Sequence, residues 1–234
     1  MFLRKPQTVN RLNNLNPMHT DKSSVRGIVF DLVGVIVDGN SRAFYRELCT
    51  KYSFNIDYQL WGELYHQVSA GEIAYSEFVR SLSSRLTIST ADLETKLAKT
   101  VSSRARIIYG AFDVLLQVKK LGLRTVILTN NISEWVGIID AKFHLSSLVE
   151  KFFVSSMINV RKPSAGAYLL SANALDIPPQ HLVYVGDEDE DIRGARAAGM
   201  TTVFIPGEDR TSYSCHYKVS NIREILALPL FANI

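Results

Sequence analysis

Short apolar runs alternating with helical patterns constrain this 234-residue chain more than any other feature. The runs fall at 27–30, 124–129, 152–155, 182–186 and 202–205, bounded by Gly, Asn, Asp or Pro. They show little polar–apolar alternation, as strands covered on both faces should. Helical patterns follow at about 133–142, 164–174 and 189–198, with Gly199 placed to end the last one. Such alternation predicts a parallel sheet between two helical layers, a three-layer, Rossmann-like α/β fold.

Residues 41–103 break the pattern. Four helical stretches follow one another there, at 42–52, 58–68, 75–86 and 91–102, and Ser89 and Asp92 offer capping groups for the last. We read this as a helical cap inserted into a core made of 25–40 and 104–234. A cap so placed lies over the carboxyl ends of the strands, where ligands bind in open α/β sheets. A closing lid excludes water and macromolecules alike, which suits a small substrate. Tyr45, Trp61, Tyr65 and His66 sit in it, but aromatics at helical spacing more often build core than line a site.

The bulk numbers exclude several classes. No run of 18 apolar residues exists to form a membrane span. The net charge of +3 is carried by Arg4, Lys5 and Arg11, leaving 23 basic and 23 acidic residues elsewhere, so nothing favours nucleic acid. Two cysteines, Cys49 and Cys215, make no disulfide framework, and a reducing, cytoplasmic setting is expected. Residues 1–24 are Asn-rich, polar and basic without an apolar segment. We expect a disordered tail there; a transit-like sequence and a start at Met18 are the alternatives.

Chemistry concentrates at four strand ends. The run Gly27-Ile-Val-Phe-Asp31-Leu-Val33-Gly34 delivers a carboxylate to a strand tip, where it could be a nucleophile or merely a turn cap. Val126-Ile-Leu-Thr129-Asn130 ends in a hydroxyl and an amide, donors for an oxyanion or simply a turn. Val160-Arg161-Lys162-Pro163 places a compact positive charge ahead of what reads as a proline-started helix. A lysine at a helix start opposes the macrodipole, a mild conflict that favours a role in the site. Val183-Tyr-Val-Gly186-Asp187 leads into Glu188, Asp189, Glu190 and Asp191, either metal-side acids or a dipole-stabilised helix start. The five histidines show no ligand spacing, and no Ser-His-Asp order stands out.

These four motifs resemble, in the same order, those of the haloacid dehalogenase-like hydrolases, over about residues 26–206. The resemblance implies Asp31 as nucleophile and Lys162 as its counter-charge, with Thr129 and Asn130 binding phosphate. It implies a magnesium site at Asp31, the Val33 carbonyl, Asp187 and Asp191. The expected work is magnesium-dependent hydrolysis of a small phosphorylated metabolite through an aspartyl-phosphate.

Val33 departs from that pattern, because phosphatases of the family usually carry a second aspartate there. That acid protonates the leaving group and activates water, a contribution of roughly a hundred- to ten-thousand-fold. Valine transfers no proton, though its carbonyl can still bind a cation. Three readings stay open. One is a phosphatase that takes the proton from water, substrate or Asp38. The second is a metal-independent dehalogenase, and the third a catalytically weak binding or regulatory protein.

Overall fold

The computed structural model describes residues 25–206 and 215–232; the expectation for the tail at 1–24 lies outside them. The chain opens with β1 (Gly27–Phe30) and the short β2 (Val37–Asp38). Four helices follow: α1 (Ser41–Lys51), α2 (Tyr58–Ala70), α3 (Tyr75–Leu86) and α4 (Thr90–Arg104). The chain then returns through β3 (Arg106–Ile107), α5 (Ala111–Lys120), β4 (Arg124–Thr129) and α6 (Ser133–Phe143). Next come β5 (Lys151–Val154), the single-turn α7 (Ser155–Ile158), α8 (Ala165–Leu175) and β6 (Leu182–Gly186). It ends with α9 (Asp189–Ala197), β7 (Thr201–Phe204), β8 (Tyr217–Lys218) and 3-10 turns.

Six strands form one parallel sheet in the order β5-β4-β1-β6-β7-β8. From β1 the chain builds outward to β4 and β5, then crosses back to lay β6, β7 and β8 on the other side. The reversal falls between β1 and β6, and such a switch point opens a crevice at the strands' carboxyl ends. All four residues of β1 are buried. They alternate between two cores, as a period of two requires. Ile28 and Phe30 join Leu115, Val118, Val136 and Ile139 of α5 and α6. Val29 joins Ala167, Tyr168, Ile192 and Ala195 of α8 and α9. Each Val, Leu, Ile or Phe side chain among these that is taken out of water contributes about 1.5–3 kcal/mol.

The four helices of 41–104 leave and re-enter the core through the antiparallel pair β2–β3, where Asp38 lies opposite Arg106. They are joined to the core by one side chain above all. Trp135 of α6 is wholly buried, with ring centroids 5.3 Å from Phe44, 6.2 Å from Trp61, 5.6 Å from Tyr65 and 6.3 Å from Phe78. These aromatics belong to α1, α2 and α3, so the cap aromatics are indeed mostly core.

One expectation needs correcting. Pro163 does not start a helix: it follows a cis peptide from Lys162, Ser164 is the N-cap, and α8 begins at Ala165. The segment 160–164 is a turn, and Lys162 within it is buried against Asp31 and Asp191. The β2–β3 pair and α5 are additional to the sequence reading.

Candidate active site

Three adjacent strands, β4, β1 and β6, end at one level, with Phe30 level with Ile127 on one side and Val185 on the other. The next residues therefore meet at the lip of the sheet: Asp31, Thr129 and Asn130, and Asp187. All of them line one cavity of about 880 Å³, together with Val33, Lys162, Glu188 and Asp191. Tyr65 of α2 and Phe44 of α1 also line it.

Asp31 is nearly buried and held at both oxygens. Its Oδ1 accepts the Leu32 N–H at 2.7 Å, and its Oδ2 lies 2.7 Å from Lys162 Nζ. Burial raises its carboxyl to about 7, against the pull of Lys162 and with a further push from Asp191. Lys162 is buried as well. Its ammonium also reaches Asp191 Oδ2 at 2.5 Å and donates to the Tyr184 hydroxyl at 3.0 Å. Burial alone would discharge this lysine, but Asp31 and Asp191 outweigh it and hold its pKa above the usual value.

The lysine is delivered by a clamp on its own main chain. The Asn130 side chain donates to the Lys162 carbonyl at 2.9 Å and accepts the Lys162 N–H at 2.9 Å. Both ends of the Asn130 amide are thus occupied within the protein. Asp191 is likewise engaged: its Oδ2 takes Lys162 and, at 3.2 Å, the Tyr184 hydroxyl. Its main-chain carbonyl accepts from Tyr168 at 2.9 Å. Thr129 is buried against the cavity.

Asp187 is different. Its Oδ1 is buried and has no hydrogen-bond partner. Burial raises its carboxyl to about 8, with the Asp31 charge adding to the shift. Gly34 makes room for it: a Cβ on that glycine would fall 1.9 Å from Asp187 Oδ2, and its φ of +84° disfavours a side chain anyway. A buried, orphaned carboxylate oxygen beside a second carboxylate is what a cation would satisfy. Among the described residues no three His, Cys, Asp or Glu side chains cluster as metal ligands. Magnesium does not need them, since it keeps several waters and takes one or two carboxylates besides substrate phosphate. The residues present fit that ion.

Val33 is half-buried in the cavity wall, in the tight turn where Gly34 N–H donates to the Val37 carbonyl at 2.9 Å. Asp38 is exposed at the same wall and accepts its neighbour's Gly39 N–H at 2.8 Å. The sequence reading missed the roles of Tyr184 and Tyr168. Tyrosines on a strand and a helix read as core, and only the fold shows their hydroxyls meeting Asp191.

Residues 25–199 match the family described as haloacid dehalogenase-like hydrolase. A glyceraldehyde 3-phosphate phosphatase from Methanopyrus kandleri is 34% identical over 94 residues, which are 39% of this chain and 40% of that protein. This chain therefore matches well under half of that relative's length. A HAD-family enzyme from Bacteroides thetaiotaomicron, solved with magnesium and inorganic phosphate, superimposes with a TM-score of 0.66. It is 17% identical, with 80% of this chain and 97% of that one covered. An L-2-haloacid dehalogenase from Xanthobacter autotrophicus superimposes with a TM-score of 0.65 at 16% identity, covering 87% and 98%. At such identities these neighbours speak for the fold.

Proposed function

The chain belongs to the haloacid dehalogenase-like hydrolases, and we propose that within them it hydrolyses a small phosphate monoester with the help of magnesium. The observation that carries this reading is the orphaned Asp187 Oδ1 beside the Lys162-paired Asp31. A dehalogenase site has no use for a second buried acid at that place, because halide leaves unprotonated and needs no cation.

In this reading Asp31 and Asp187, with the Val33 carbonyl, hold the ion. Asp191 we assign to Lys162 rather than to the metal, since one of its oxygens takes both the Lys162 ammonium and the Tyr184 hydroxyl, whereas Asp187 Oδ1 has no partner. Magnesium, when bound, neutralises the two acids and the phosphate, which favours the ionised Asp31. Leu32 N–H and Lys162 Nζ fix the orientation of that carboxylate. Lys162 and the Thr129 hydroxyl offer charge and a donor where negative charge develops on the phosphoryl oxygens. Asn130 acts by clamping Lys162.

An Asp31 oxygen bonds to phosphorus as the ester P–O bond breaks. The departing oxygen takes its proton from water, because Val33 has none to give. Water then attacks phosphorus, the bond to Asp31 breaks, and phosphate leaves with the carboxylate restored. Loss of the usual acid makes both steps slower than in relatives that retain it.

The test is phosphate release from a panel of small phosphate esters, with and without magnesium, by wild type, Asp31→Asn and Val33→Asp. Magnesium-dependent release that vanishes in Asp31→Asn is expected, with a faster Val33→Asp. Chloride release from 2-chloropropionate without phosphate release would move the assignment to dehalogenation.

A further inference from the structure

The cavity has a second charged region that the hydrolytic chemistry leaves unused. Besides Asp31, Asp187, Asp191, Glu188 and Lys162, its lining includes the exposed Arg42 and Arg106. The two arginines are far apart in sequence and stand at the two crossings into the insert. Arg42 stands in the first turn of α1, and Arg106 lies on β3.

Among the described residues, no carboxylate lies within ion-pairing distance of either guanidinium, although Arg104, Arg124 and Arg193 have such partners. Asp38, opposite Arg106 in the β2–β3 pair, gives its Oδ1 to the Gly39 N–H instead. Arg42 faces the positive end of the α1 dipole, with no acidic residue in that first turn to offset it.

Their known bonds also leave donors over. Arg42 spends Nε on the Tyr58 hydroxyl at 2.9 Å and lies 5.9 Å over that ring, leaving both terminal nitrogens. Arg106 spends Nη1 on the Ser103 and Ala105 carbonyls, leaving Nη2 and Nε. Arg161 lines the cavity too and reaches Ser69 Oγ and the His66 carbonyl of α2 through Nη1, but it stands on the 160–164 turn and not at the crossings into the insert. A cavity of about 880 Å³ is far larger than a phosphate group alone requires.

The geometry points to a second anion subsite. Resting on the phosphatase reading, we infer that the substrate is a small phosphate monoester bearing another anionic group, a carboxylate or phosphate, at its far end. Arg42 and Arg106 receive that group while the ester phosphate sits over Asp31. Paired guanidinium forks suit such planar or tetrahedral oxyanions. Selection follows because an uncharged end leaves the two cations unanswered.

Calorimetric binding to the Asp31→Asn protein in magnesium tests this without turnover. The probes are three five-carbon phosphate monoesters that differ only at the far end: carboxylate, phosphate or carboxamide. The charged ends should bind roughly tenfold or more tightly than the amide, the scale of one charge-assisted hydrogen bond. In Arg42→Met and Arg106→Met that ratio should fall toward one, binding of the amide ester reporting that each variant is folded. Equal binding of all three probes, or a ratio unchanged in both variants, overturns the second subsite and leaves the phosphatase reading standing. Binding of none of the three overturns the phosphatase reading and this inference with it.

Discussion

Asp187 pays for its position in the metal-free protein. A carboxyl whose folded value is raised contributes stability that is complete below its ordinary value of 3.8 and is lost as pH rises through the folded value. For Asp187 that folded value is about 8, and for Asp31 about 7. In chelator, therefore, stability contributed by these two acids declines from about pH 4 to pH 8. We predict that Asp187→Asn, which keeps the shape and removes the charge, flattens this decline and melts higher than wild type at pH 8. Magnesium should raise the wild-type melting temperature more at pH 8 than at pH 5, and should do little for the variant. Melting curves that shift in parallel with pH for both proteins would refute the orphaned-carboxylate argument. At this scale the strand-end pattern pointed to Asp31, Thr129 and Asp187, and the family resemblance gave them and Lys162 their expected roles; Lys162 itself lies in the turn after α7 and not, as the sequence suggested, at a strand end. Asn130 and Asp191 were visible as residues but not as partners of Lys162, because a hydrogen bond across 32 residues leaves no trace in local pattern.

Helix α4 shows an element written almost wholly in its own sequence. Ser89 Oγ accepts the Asp92 N–H at 3.1 Å and donates to the Asp92 carboxylate at 2.8 Å, capping the helix start. Loss of such a cap costs about 1 kcal/mol. Ser89→Ala should lower the urea midpoint accordingly and leave turnover alone, since the cap lies outside the cavity lining. A cost near zero would mean that tertiary packing alone holds the helix start. The turn at 160–164 shows the reverse case. The sequence placed the helix at about 164–174 with Pro163 at its start; in the structure Pro163 lies in the turn, Ser164 caps α8 at Ala165, and Lys162 of that turn is buried between Asp31 and Asp191. The pair β2–β3 was invisible for a related reason: two strands of two residues each carry no readable periodicity.

Across the whole molecule, Trp135 is one of the ties between insert and core. Its ring meets aromatics of α1, α2 and α3 while its backbone belongs to the α/β core. A second tie runs through Ser155, whose hydroxyl donates to the Ser69 carbonyl of α2 and accepts the Asn131 N–H beside the cavity. Truncating a buried tryptophan costs about 3–5 kcal/mol. Trp135→Ala should lose that much in denaturant unfolding. In wild type, far-ultraviolet dichroism and tryptophan fluorescence should report one coincident transition. Two separate wild-type transitions would show that the insert folds apart from the core.

By itself the sequence determined the parallel sheet, the helical insert and the acids at the strand tips. These are local matters: an apolar run, a capping residue and a breaker act within a few residues of one another. Only the tertiary structure decided which of those polar groups face one another. It gave Asp191 to Lys162, left Asp187 Oδ1 alone, turned Asn130 onto a backbone and brought Arg42 and Arg106 into the lining of one cavity. Charges in a buried site are set by neighbours within a few ångströms, and in a doubly wound fold those neighbours come from distant strands.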